Sequence, residues 1–172
     1  MKHRITTLVA CIAALFLAFG SLTLSAQPAT SSRDTLIIEG EGLTRFVLTR
    51  SSLAAMPRKQ VKAKDYKSTN IVTFEGVELH EVLRRAGATL GKDLKHGELS
   101  KYVLAEAFDG YKITFAMAEI EPLFTDTIIL LADSKDGKPL DDYAGAMCLI
   151  IPHEKKNGRW MRQLKSLTIK RG

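Results

Sequence analysis

Thiols are scarce in this chain of 172 residues, which has two cysteines, one tryptophan and five prolines. Cys11 lies in an apolar N-terminal stretch and Cys148 in the run Met147-Cys148-Leu149-Ile150-Ile151. If the N-terminal stretch is removed on export, Cys148 is the sole thiol and an internal disulfide is excluded. Its apolar neighbours predict a buried, inert sulfhydryl. Histidine is as sparse: beyond that stretch stand His80, His96 and His153, no two of them at helix-face spacing. His80-Glu81 does not extend to a zinc-binding HExxH, because position 84 is arginine, and His80 reads as a surface residue. Also missing are a G-x-S-x-G nucleophile elbow and both glycine-rich phosphate loops, G-x-x-x-x-G-K-[ST] and G-x-G-x-x-G. Metal ligation by side-chain clusters, serine-type catalysis and nucleotide cradling are therefore unsupported. A single long apolar run rules out a multi-span membrane protein. No basic stripe interleaved with aromatics is present, so nucleic acid is not an expected partner.

That one apolar run, LVACIAALFLAFG at 8–20, follows Lys2 and Arg4 and precedes SLTLSAQPAT, with no charge before Arg33. A basic start, an apolar centre and small residues near a cut site make a secretory signal peptide. Cleavage is expected after Ala26, with Leu24 and Ala26 at the recognition positions. Lys-His-Arg is not a twin-arginine pair, so the route reads as Sec-type, to the periplasm or beyond. An uncleaved anchor is the alternative, but Ser21, Thr23, Ser25 and Gln27 interrupt the apolar stretch, and no stable span is expected after processing. The chain thus divides into a signal at 1–26, a linker at 27–34 and one domain at 35–172. Processing removes Lys2 and Arg4 and no acid, lowering the formal charge from +6 to +4. The excess falls in small knots at 58–67, 155–162 and 170–171, the pattern of a solvated basic face.

Local patterns predict many short strands. TLIIE at 35–39 and RFVL at 45–48 flank the Gly40-Glu41-Gly42 turn, and Thr49 is a plausible N-cap for a short helix, SSLAAM, stopped by Pro57. Further strands are expected at 60–63 and 70–74. Leu79, Val82, Leu83 and Ala86 follow i, i+3, i+4, i+7 spacing, which predicts an amphipathic helix ended by Gly87. Strands at 102–107 and 112–116 flank the turn dipeptide Asp109-Gly110. A short helical turn at 117–124, a buried strand at 127–132, a turn at 136–139 and closing strands at 148–151 and 164–169 complete the pattern. Asp109, Asp133 and Asp136 stand beside turns, where aspartate has a conformational role. The fold class is α+β, with a mixed or mostly antiparallel set of short strands in a single domain.

Read together, several passages resemble the molybdopterin-binding oxidoreductase domain, the sulfite-oxidase-type fold. Gly76-Val77-Glu78-Leu79, Leu83 and Ala86-Gly87 are similar to its GV-x-L-x-x-L-L-x-x-A-G passage, and Ala107-Phe108-Asp109-Gly110-Tyr111 to its A-x-D-G-Y hairpin. Leu130-Leu131-Ala132 with Asp136-Gly137-Lys138-Pro139-Leu140 resembles its L-L-A…G-x-P-L. Gly145-Ala146-Met147-Cys148-Leu149-Ile150-Ile151-Pro152 resembles G-P-L-R-L-V-V-P, and Arg159-Trp160-Met161-Arg162 resembles R-W-V-K/R. Five passages in order span most of 45–170.

The departures decide the expectation. Catalytic members of that family hold molybdenum through a cysteine thiolate upstream of GV-x-L, and the corresponding VKAKDYKSTN at 61–70 has none. Cys148 stands where the family carries a cofactor-facing arginine, so a pterin pyrophosphate contact is lost as well. The resemblance also implies cofactor insertion before twin-arginine export, which a Sec-type signal does not match. The chain is similar to small, exported members lacking the metal-ligand cysteine. No bound cofactor is expected, with molybdopterin the cofactor if the family activity is retained. Three functions are open: a non-catalytic module binding a small ligand or partner, a molybdopterin oxidoreductase with an atypical ligand set, or a structural domain with a filled pocket. The resemblance points to Lys64, Tyr66, Lys67, Asp109, Tyr111, Arg159 and Arg162 as ligand-binding candidates. Among these, Lys64, Lys67, Arg159 and Arg162 would suit an anionic small molecule or a pterin. A periplasmic protein is the other candidate partner, and Trp160 reads as a core anchor for the last strand.

Overall fold

The computed structural model describes residues 32–172, so the expected signal peptide and most of the linker lie outside the described residues. Two five-stranded sheets form the domain. One runs in the order β2 (Leu43–Thr49), β1 (Thr35–Gly40), β10 (Leu164–Arg171), β5 (Lys101–Ala107), β6 (Lys112–Ala116). The other runs β3 (Lys59–Lys64), β4 (Ile71–Glu78), β7 (Leu130–Lys135), β8 (Lys138–Pro139), with β9 (Cys148–Ile150) also paired to β7. Only β1 and β10 pair in parallel; the remaining neighbours are antiparallel. Among the described residues three short α-helices, α1 (Arg50–Ala54), α2 (Leu79–Ala86) and α3 (Met117–Ile120), and four 3-10 turns complete it. The mixed α+β expectation holds at this level. No helix among the described residues is long and apolar enough to cross a membrane.

Strand alternation explains where the core lies. Leu36, Ile38, Val103, Ala105, Phe115, Leu167 and Ile169 leave the first sheet on one face and meet Val77, Leu131, Leu149 and Ile151 from the second. The intervening residues of the second sheet, among them Phe74, Leu130, Ala132, Cys148 and Ile150, point the other way into a smaller second core. A sheet covered on both faces reads as an unbroken apolar run. That is the pattern of Leu130-Leu131-Ala132 and of the strand holding Cys148.

The helices follow their local signals. Thr49 caps α1, its hydroxyl accepting from the Ser52 amide at 3.1 Å while the Ser52 hydroxyl accepts from the Thr49 amide at 2.9 Å. In α2 the residues Leu79, Val82 and Leu83 are fully buried. Gly87 ends the helix at φ +91°, a left-handed terminator.

Four expectations need correction. β4 does not stop at Phe74 but runs through a bulge at Glu75/Gly76 to Glu78. Gly76 permits this, because a Cβ there would sit 2.0 Å from the Leu131 carbonyl oxygen. The strand expected at 127–132 begins at Leu130 instead. Its ladder with β4 ends where α2 starts, and the Ile129 carbonyl turns to accept the Leu79 amide at 2.8 Å, satisfying an orphan donor of the helix. Asp133 is no turn residue; it lies inside β7 at 7% exposure, bound by Arg58 Nη1 at 3.0 Å, while Arg58 Nε donates to Glu75 at 3.2 Å. His80 is likewise no free surface residue, since its Nε2 lies 3.3 Å from the buried Glu121 carboxylate.

Candidate functional site

A lateral cavity of about 480 Å³ opens where the two sheets meet the loops at one end of the domain. Its walls come from five separated segments. The β5–β6 hairpin supplies Ala107, Asp109 and Tyr111, the turn after β3 supplies Tyr66, and the 141–145 segment supplies Tyr143. β9 contributes Cys148, Leu149 and Ile150, and the stretch before β10 brings Asn157, Gly158, Trp160, Arg162 and Gln163.

Each wall is fastened by hydrogen bonds. Asp109 Oδ1 accepts the Tyr111 amide at 2.9 Å, an Asx turn that shapes the hairpin tip. Tyr111 Oη then donates to the Gly158 carbonyl at 2.6 Å, tying the hairpin to the facing loop. Opposite, Asp141 gathers Lys67 Nζ at 2.6 Å, Tyr66 Oη at 3.2 Å and the Ala144 amide at 2.9 Å. Donation by Lys67, reinforced by Ala144 and Tyr66, holds the Asp141 carboxyl down at about 2. Burial, with Asp141 beside it, pushes the Tyr66 hydroxyl up, so Tyr66 stays a neutral donor.

A left-handed residue stands beside Arg162, as His96 and Asp136 do elsewhere in the domain. Gln163 has φ +48°, a conformation side-chain-bearing residues seldom adopt, and three bonds hold it there. Its amide donates to the Ala144 carbonyl at 2.7 Å, its carbonyl accepts the Phe108 amide at 3.1 Å, and its Nε2 donates to the Asp142 carbonyl at 3.2 Å. Gly145 packs so closely that a Cβ would lie 2.9 Å from Gln163 Cα.

Aromatic rings line much of the interior. Tyr66 and Tyr143 stand 5.6 Å apart, Tyr66 and Phe74 5.9 Å, and Phe74 meets Trp160 edge-on at 5.9 Å. The Arg162 guanidinium lies 3.8 Å over the Tyr143 ring and Lys67 Nζ 4.8 Å from the same ring. Trp160 is both an anchor, donating from Nε1 to the Ile151 carbonyl at 3.0 Å, and a wall of the cavity.

Of the residues singled out from sequence, Tyr66, Asp109, Tyr111 and Arg162 line the cavity together. Lys67 reaches its rim through Asp141 and Tyr143. Lys64 does not join them: Val61 and Ala63 turn into the second core, and Lys62 and Lys64 leave β3 exposed on the other face. Arg159 points elsewhere too, binding Glu154 at 2.6 Å and Glu119 at 2.8 Å and covering the Phe115 ring at 5.0 Å. The four-cation cluster is therefore not assembled. Sequence reasoning missed Tyr143, Asn157 and Gln163 as wall residues. The aromatic following the acid pair Asp141-Asp142 was the available signal for Tyr143.

The donor set does not fit a thiolate-ligated molybdenum. Cys148 is the one cysteine among the described residues, is fully buried, and has its thiol pushed up by that burial, which keeps it protonated. No group of three or more His, Cys, Asp or Glu side chains is positioned for a metal ion among the described residues.

The class thus defined is a mixed α+β domain of two packed sheets with a loop-walled cavity at one end. No protein-family profile and no curated protein matches the chain. Among solved structures, the crystal structure of the sulfane dehydrogenase SoxCD from Paracoccus pantotrophus is similar, with a TM-score of 0.62 at 21% identity. The likeness covers 81% of this chain and 39% of that one, so the chain spans about two fifths of its structural neighbour. At that identity the likeness shows the fold alone.

Proposed function

We propose that this chain is an exported binding module of sulfite-oxidase-type fold, whose lateral cavity takes an anionic small molecule without a thiolate-ligated molybdenum. One observation carries the reading: Arg162 lines an aromatic cavity with no carboxylate partner among the described residues. Arg58, Arg84, Arg159 and Arg171 each meet an acid, and Arg33, Arg50 and Arg85, which like Arg162 meet none among the described residues, lie outside this cavity. A cavity of about 300–1,000 Å³ with a few convergent polar groups is the usual form of a small-molecule site. The dehydrogenase likeness, together with the family resemblance of the sequence, supports an oxidoreductase ancestry. The missing thiolate separates this chain from a working molybdenum centre.

The test is protein isolated from the periplasmic fraction of its own host. Its mass should match a chain beginning at Gln27, elemental analysis should find no stoichiometric molybdenum, and extraction with a fluorescence assay should decide whether a pterin is present. Pterin without metal supports a binding module that kept part of an ancestral ligand. Near one molybdenum per chain would restore the oxidoreductase reading and overturn this one.

A further inference from the structure

The cavity walls specify the charge and shape of the ligand, an inference that rests on the binding-module reading. Three of the four cations considered from sequence contribute little free charge to the cavity. Lys67 is neutralised by Asp141, Arg159 by Glu119 and Glu154, and Lys64 leaves the opposite face of its strand. Arg162 remains. Its face is covered by Tyr143 at 3.8 Å, which leaves the in-plane N–H donors of the guanidinium for a planar acid group. That fork matches a carboxylate bidentately. The same cavity also holds the carboxylate of Asp109, whose negative charge opposes a second anionic group on the ligand. Tyr143 already carries Arg162 and Lys67 over its ring, while Tyr66, Tyr111 and Trp160 offer aromatic wall, and about 480 Å³ admits a fused bicyclic skeleton.

We propose that the cavity binds a planar aromatic monoanion, an aryl carboxylate or sulfonate, with its acid group on Arg162 and its rings among Tyr66, Tyr111 and Trp160. A pyrophosphate-bearing ligand would meet one unpaired guanidinium and one carboxylate, too little positive charge for its own. The ligand class is therefore set by one fork, one opposing acid and an aromatic wall of Tyr66, Tyr111 and Trp160.

The experiment is calorimetric titration of the mature protein with 2-naphthoate, naphthalene-2-sulfonate, neutral 2-naphthol and inorganic pyrophosphate. The expected result is saturable binding of one or both aromatic anions, at least tenfold tighter than 2-naphthol and than pyrophosphate. The naphthoate and sulfonate arms show which acid group the fork prefers. R162Q should bring the aromatic anions to the level of 2-naphthol, and R162K should fall between. D109N, which keeps the acceptor for the Tyr111 amide, should strengthen 2,3-naphthalenedicarboxylate more than 2-naphthoate. Circular dichroism and melting of each variant separate lost binding from lost fold. Pyrophosphate binding tighter than 2-naphthoate, or 2-naphthol binding as tightly, would overturn the ligand class and leave the cavity a binding site. No saturable binding by any of these probes would overturn the aromatic-anion assignment, whereas the binding-module reading is decided separately by the elemental and pterin analysis of the native protein.

Discussion

Replacing Trp160 tests how the cavity wall and the two cores depend on each other. The indole is partly buried, packs against both apolar clusters, meets Phe74 edge-on and donates to the Ile151 carbonyl at 3.0 Å. Trp160→Phe keeps a ring for Phe74 but removes the donor. The Ile151 carbonyl still accepts the Glu154 amide at 3.2 Å, so the acceptor is not left bare, and the cost is that of one net hydrogen bond, about 1 kcal/mol. Trp160→Ala also loses the aromatic pair, about 1 kcal/mol, and the buried part of the ring. Full burial would put the change at roughly 3–5 kcal/mol, and partial exposure places it near the lower end, about 3 kcal/mol. In a domain of about 140 residues those losses correspond to melting shifts of about 3 °C and about 10 °C. Urea unfolding followed by far-UV circular dichroism gives both values. A Trp160→Ala protein within about 1 kcal/mol of the parent would refute the reasoning, because the ring would then be a wall residue that neither core needs.

Gly76→Ala should cost about 3 kcal/mol or more, since its Cβ would fall 2.0 Å from the Leu131 carbonyl oxygen and the central β4–β7 ladder would have to move; a urea midpoint near the parent's would sink this. Cys148 should react with a thiol reagent only on the timescale of unfolding, because it is fully buried and its thiol stays protonated; native labelling at the denatured rate would show an open site. Asp141 sets an acid-side effect. Its folded value lies near 2 against an ordinary 3.8, so it stabilises the protein above about pH 4 and that stability disappears as the pH falls toward 2. The pair with Lys67 is 40–47% exposed and screened, so Asp141→Asn should cost less than about 1 kcal/mol at pH 7 and flatten the stability profile between pH 4 and 2. An unchanged slope across that window would contradict the hydrogen-bond assignment.

Where structure follows from neighbours in sequence, it was legible. The apolar face of α2 repeats at helical spacing and Gly87 stops it, Asp109-Gly110 turns the β5–β6 hairpin, and Thr49 caps α1 through a residue three positions on. The bulge at Glu75/Gly76 was not, because only the approach of Leu131 explains why the chain needs glycine there. Likewise, β7 begins at Leu130 because α2 claims the Ile129 carbonyl, a contact between segments fifty residues apart in the chain. The candidate site divides the same way. Asp109 and Tyr111 are carried by a recognisable hairpin, whereas Tyr66, Tyr143 and Gln163 meet only through tertiary folding. Charge misled most: Arg159 and Arg162 are three residues apart, yet one is consumed by Glu119 and Glu154 and the other faces the cavity. No pattern in the linear sequence distinguishes them.

The most direct measurement is a backbone amide shift map of the isotopically labelled mature protein titrated with 2-naphthoate. The account predicts saturable shifts confined to 66, 109–111, 143, 148–150 and 157–163, the segments that wall the lateral cavity, and their loss in R162Q. Shifts centred instead on the cleft beside His80, or none at millimolar ligand, would contradict it.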